Sequence, residues 1–145
     1  MASVITVDAN LLIYATAEGL PEHHRGKAWL EQTLATDEPV RLSWGTLLAY
    51  LRISTNPRIF KAPLSMERAV SFVTTLLGFP NVSLLEPGPR HWLILSNLLQ
   101  KGQARAELVS DAHLAALAIE NGATLCTNDR DFSRFPGLRV QYPLQ

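Results

Sequence analysis

The sequence predicts an α/β fold, a three-layer α/β/α sandwich around a central, mainly parallel sheet. Three observations carry this expectation. Short β-prone runs alternate with amphipathic helices, the order that builds a parallel sheet from strand–helix–strand units. One helix, around Leu114-Ala115-Ala116-Leu117-Ala118-Ile119, is apolar over nearly its whole circumference and belongs in an interior. The 145 residues, 47% hydrophobic and 18% charged, are enough for one domain with a sizeable core and too apolar for a disordered chain.

Taken in order, Ser3 to Val7 is an apolar, β-branched run ending in Asp8-Ala9-Asn10, so a buried strand delivers Asp8 at its carboxyl end. A helix follows from Leu11. Asn10 is able to cap it, and the plainer reading of Asp8 is that it is itself only a cap. Gly19-Leu20-Pro21 breaks the chain. His23 to Leu34 is an amphipathic helix with Ala28, Trp29, Leu30 and Leu34 inward and Arg25, Lys27 and Glu31 outward. His23 and His24, being neighbours, do not share a helix face and read as exposed polar residues. Val40 to Ser43 is a short strand. Ser43 caps a third helix, Trp44 to Ile53, whose core face is expected at Trp44, Leu47, Leu48 and Leu51. The turn Thr55-Asn56-Pro57-Arg58 ends it. Arg52 and Arg58 flank that turn, either to grip phosphate or simply to solvate the surface.

Ser65 caps a helix to Leu77, which Gly78 stops. Val82 to Leu85 is a strand, Arg90 to Lys101 a helix stopped by Gly102, and Gln103 to Val109 a polar loop. Ser110 and Asp111 are a favourable pair for the positive end of the apolar helix. Asn121-Gly122 supplies its left-handed stop. Ala123 to Thr127 is a strand, with Asn128-Asp129-Arg130-Asp131 in a loop at its carboxyl end, and Leu138 to Gln141 is a last edge strand.

Composition removes several function classes. No apolar run approaches the ~20 residues of a membrane span, and the first residues lack the basic start and apolar stretch of a signal peptide. The single cysteine, Cys126, excludes an intrachain disulfide and argues against a Cys-based zinc site, which fits a reducing cytoplasm. Thirteen Lys and Arg balance thirteen Asp and Glu, so net charge does not advertise nucleic acid. Were four aspartates taken up by a metal, the remaining surface would be mildly basic and dominated by Arg.

Four aspartates fall at element ends: Asp8 after the first strand, Asp129 and Asp131 after a late strand, and Asp111 at the start of the helix before it. If those strands are neighbours, the four meet at the carboxyl ends where open α/β sheets bind ligands. Carboxylates so close repel until a cation neutralises them, and Mg²⁺ or Mn²⁺ does so with oxygen ligands while keeping positions for water and phosphate. Such a site activates water for attack on a phosphodiester. No GxxxxGK, GxGxxG or Gly-x-Ser-x-Gly motif competes. His113, two residues after Asp111, reads as a packing or surface residue.

The segments VDANLLIYA, LLAYLRISTNPRIF, LLEPGPRHW and VSDAHLAALAIENGATLCTNDRDFSRFPGL closely resemble the PIN-domain family. Within it they are similar to the VapC-type toxins of bacterial toxin–antitoxin pairs, especially a subgroup abundant in mycobacteria. The resemblance implies a single PIN domain over residues 1–145 and an endoribonuclease dependent on Mg²⁺ or Mn²⁺, with tRNA or rRNA the expected substrate. It also implies a VapB-type antitoxin, homodimerisation and a cytoplasmic protein. By the same resemblance Asp8, Asp111 and Asp129 match metal ligands, Asp131 an additional catalytic acid, and Asn10 and Thr127 polar positions that orient the carboxylates. The chain departs from the family at Ala49, where many members place a glutamate; Glu107 is a weak substitute.

Two other readings stand beside this one. Ala49 favours a PIN-like module that binds RNA or an antitoxin without cutting. A phosphatase with an aspartyl nucleophile would need a second aspartate where Asn10 stands. Leu11, Leu12, Tyr14 and the Leu47–Leu51 helix either line a groove for a partner helix or are core.

Overall fold

Among residues 3–145, which the computed structural model describes, five short strands alternate with six helices. They run β1 (Val4–Val7), α1 (Ala9–Thr16), α2 (His23–Leu34), β2 (Val40–Leu42), α3 (Trp44–Ser54), α4 (Met66–Leu77), β3 (Val82–Leu84), α5 (His91–Lys101), α6 (Leu108–Glu120), β4 (Ala123–Cys126) and β5 (Val140–Gln141). All strand pairs are parallel, in the order β3-β2-β1-β4-β5. The chain thus winds outward from β1 to β3, crosses back, and resumes at β4 on the other side of β1. That reversal puts the sheet's switch point, where open α/β sheets bind ligands, at the carboxyl ends of β1 and β4.

Helices cover both faces, as expected for a parallel sheet. On one face α1 to α4 bury Ile5, Val7, Leu11, Leu12, Leu47 and Tyr50. On the other α5 and α6 bury Leu98, Ala112, Ala115, Ala116, Leu125 and Phe132. Each fully buried Leu, Val or Phe contributes about 1.5–3 kcal/mol. Leu11, Leu12 and Leu47 are therefore core and line no groove. The apolar α6 is interior, and Gly122 stops it at φ 65°, a left-handed conformation that glycine adopts without strain.

Several local expectations are corrected. The inward face of α3 is Thr46, Leu47, Tyr50 and Ser54, while Trp44 is 51% and Leu48 59% exposed. Two stripes at helical spacing compete there. Tyr50 wins the interior because its hydroxyl lies 2.9 Å from the Thr16 hydroxyl. On α2, Ala28 is exposed and Gly26 is the inward contact. A Cβ at Gly26 would stand 2.7 Å from Tyr14 Cβ, so glycine permits α1 and α2 to approach. His23 is buried, its Nδ1 donating to the Tyr14 carbonyl at 2.8 Å, and only His24 is exposed. The N-cap of α1 is Asp8, not Asn10, and α6 begins at Leu108, before Ser110, with no side-chain cap. Residues Arg130–Arg134 form a 3₁₀ helix where a loop was expected, and the last strand is only Val140–Gln141. Among the described residues no helix is long and apolar enough to cross a membrane.

Candidate active site

The register of the central strand pair builds the site. Val7 lies opposite Cys126, so the next residues, Asp8 and Thr127, leave the sheet side by side. The Asp8 N–H donates to the Cys126 carbonyl at 2.9 Å and fixes this exit. Oδ1 of Asp8 then accepts from the Ala9 N–H at 2.7 Å as the cap of α1, and Oδ2 accepts from the Thr127 hydroxyl at 2.8 Å.

The Thr127 Oγ1 is a hub. While donating to Asp8 it accepts from the Asp129 N–H at 3.0 Å and from Asn10 Nδ2 at 3.2 Å, which uses its full capacity. Asn10 in turn accepts from the Asn128 N–H at 3.4 Å. Thr127 is wholly buried, so water does not compete for these bonds. Asp129 accepts from the Asp131 N–H at 2.8 Å, opening the 3₁₀ helix and setting the two acids beside each other. Asp111 enters from the first turn of α6.

Electrostatics report that the four carboxylates sit in one field. Burial pushes the Asp111 carboxyl up to about 6, reinforced by the charges of Asp8, Asp129 and Asp131 and opposed by Arg134. Asp8 is also raised, first by burial and then by Asp129, against the bonds from Thr127 and Ala9. Repulsion of this kind is what a bound cation relieves.

Among the described residues no three Asp, Glu, His or Cys side chains stand close enough to enclose an ion by themselves. The carboxylates therefore share a field without forming a closed cage. Oxygen-only donors in that arrangement suit a hard ion such as Mg²⁺, which keeps several waters and needs only one or two carboxylates directly. The donor set fits.

The remaining candidates lie elsewhere. Ala49 is half-buried against the α1–α4 core, so α3 offers no carboxylate. Glu107 is exposed at the α6 N-terminus and is not among the charges acting on Asp111. Arg52 and Arg58 are exposed at the end of α3 and in the following turn. Neither makes a side-chain hydrogen bond or ion pair with the four aspartates or with Thr127 and Asn10 among the described residues. His113 pairs with His91, Nδ1 to Nε2 at 2.9 Å. Sequence reading missed Arg134, the cation beside Asp111. Its spacing of three from Asp131, one turn of a 3₁₀ helix, was the available signal.

Residues 5–138 match the PIN domain family. The chain is 39% identical over 142 residues to ribonuclease VapC33 of Mycobacterium tuberculosis, spanning 98% of this chain and 99% of that one. It is 40% identical over 141 residues to ribonuclease VapC43 of the same species, spanning 97% and 96%. Among solved structures, VapBC-1 from nontypeable Haemophilus influenzae has the same fold, with a TM-score of 0.68 at 21% identity over 98% of this chain and 99% of that one.

Proposed function

The chain belongs to the PIN domain family, and on that premise we propose that it is an endoribonuclease toxin of a toxin–antitoxin pair, dependent on Mg²⁺ or Mn²⁺. The observation that carries the reading is the Thr127 hub, which ties Asp8 to the backbone of Asp129 at the sheet's switch point, within the field of Asp111. The relatives named as ribonucleases over nearly the whole chain support the same activity.

Asp8, Asp111 and Asp129 would hold the ion between them, one or two directly and the rest through its bound waters. A divalent ion bound there supplies a polarised water and neutralises charge developing on a phosphodiester. Thr127 and Asn10 keep the Asp8 carboxylate in one orientation, the support that metal-binding carboxylates need from their surroundings. Asp131, exposed beside Asp129, adds a fourth negative charge to the field on Asp111. Structured RNA, tRNA or rRNA, is the proposed substrate.

The proposal extends to a single domain over residues 1–145, a VapB-type antitoxin, a homodimer and a cytoplasmic location. The large apolar side chains left exposed, Trp44, Leu48, Trp92 and Leu93, supply surface that a partner chain would cover. The competing reading, a binding module that does not cut, is favoured by one observation, the absence of an α3 carboxylate at Ala49. Expression in a bacterial host separates them. Wild-type protein arrests growth and Asp8→Ala at equal abundance does not; arrest by both would overturn the nuclease reading.

A further inference from the structure

A site of four carboxylates faces an electrostatic problem, because the RNA backbone it must admit is itself negative. One divalent ion leaves four carboxylates with net negative charge, which a side-chain cation at the mouth would offset. Arg52 is in the last turn of α3 and Arg58 in the turn beyond it, and neither is among the charges acting on Asp111. Arg130 is engaged elsewhere, its guanidinium 4.1 Å over the Tyr142 ring and donating to the Gln145 side chain. Arg134 is different. It ends the 3₁₀ helix that Asp129 caps, and it is the cation acting on Asp111.

Its anchoring is built from backbone. Nη1 donates to the Gly102 carbonyl at 3.0 Å and Nε to the Asp131 carbonyl at 3.3 Å. Gly102 is itself wedged in place: a Cβ there would lie 2.8 Å from the Leu98 carbonyl oxygen and 2.9 Å from the Phe135 ring. Neither anchor is a carboxylate, and among the described residues Arg134 makes no ion pair and its Nη2 no hydrogen bond. The guanidinium is thus oriented with no carboxylate bonded to it directly. A planar fork with donors to spare matches the geometry of a phosphate.

We propose that Arg134 is a substrate-binding residue that grips an RNA phosphate at the mouth of the acidic site, held ready by the carbonyls of Gly102 and Asp131. The inference rests on the ribonuclease reading and assigns the phosphate contact within it. The test is binding of a fluorescein-labelled mixed-sequence oligoribonucleotide with Mg²⁺ across a salt series, in the Asp8→Ala background so that the RNA stays whole. Arg134→Ala weakens affinity roughly tenfold and lowers the salt slope by about 0.7, with thermal unfolding little changed; Arg134→Lys recovers the slope.

An Arg134→Ala protein with parental affinity and slope overturns the assignment. So does a loss of affinity that tracks loss of folded protein with the slope intact, since that marks a purely structural residue. Cleavage assays of proteins with Asp8 intact keep the two claims apart. If the wild type cuts RNA while the slope is indifferent to residue 134, this inference alone fails. If the wild type neither cuts nor binds RNA, the ribonuclease reading fails and takes the phosphate contact with it.

Discussion

Replacing Asp111 by Asn should make the metal-free protein more stable while removing its activity. In the native state burial and three other carboxylates lift the Asp111 carboxyl from an ordinary 3.8 to about 6. Each factor of ten is about 1.4 kcal/mol, so the ionised native state bears at most about 3 kcal/mol at neutral pH. Asp111 is only half-buried and solvent screens part of this, leaving about 1–2 kcal/mol. Because the native value is raised, protonation favours the folded state. At pH below 3.8 the carboxyl is neutral folded or unfolded, and the penalty is absent. It grows as pH rises through the interval up to about 6 and is complete above it.

The isosteric Asp111→Asn protein escapes the penalty, so in EDTA near neutral pH it should melt about 3–6 °C above wild type. At about pH 4 the two should nearly coincide. Adding Mg²⁺ should raise the wild-type midpoint, since ligand binding favours the folded state, and move the Asn protein less. Thermal unfolding followed by circular dichroism reads all of this. An Asn protein no more stable than wild type near neutral pH, or a difference that ignores pH, would refute the electrostatic account of the site.

Further expectations concern the supporting structure. Thr127→Ala strips the acceptor or donor from Asp8, Asn10 and the Asp129 N–H together; urea unfolding should show a loss of about 1–3 kcal/mol, and Thr127→Ser should restore most of it. Gly26→Ala forces a Cβ to within 2.7 Å of Tyr14 Cβ, so α1 and α2 must separate, at a cost of about 1–3 kcal/mol by the same measurement. Changing Arg52 and Arg58 together to Ala tests whether RNA extends along α3: affinity and salt slope should both fall, and unchanged values confine the RNA contact to the carboxyl end of the sheet.

Much of this was legible in the sequence because it is written in short-range patterns. Asp8 could be placed at a strand end because Val4-Ile5-Thr6-Val7 is β-branched and ends abruptly in Asp-Ala-Asn. Gly122 and the apolar face of α6 were equally plain. Which of two helical stripes goes inward was not, because Trp44 with Leu48, four apart, and Leu47 with Tyr50, three apart, both fit one helix face. The choice depends on Thr16, a residue from another helix that gives the Tyr50 hydroxyl its partner. His23 misled for a similar reason, since the Tyr14 carbonyl that makes its burial tolerable belongs to α1. The Asp8–Thr127 pairing needs the adjacency of β1 and β4, strands separated by most of the chain. Arg134 was hidden because its anchor, Gly102, is far away in sequence.

Cleavage of total cellular RNA by the purified protein tests the central claim most directly, run with Mg²⁺ or Mn²⁺, with EDTA, and beside Asp8→Ala. The account predicts discrete fragments that disappear with EDTA and with the substitution, their ends naming the RNA that is cut. Intact RNA after incubation with folded, metal-supplied wild-type protein would contradict it and leave a binding module, with Ala49 the first position to restore to glutamate.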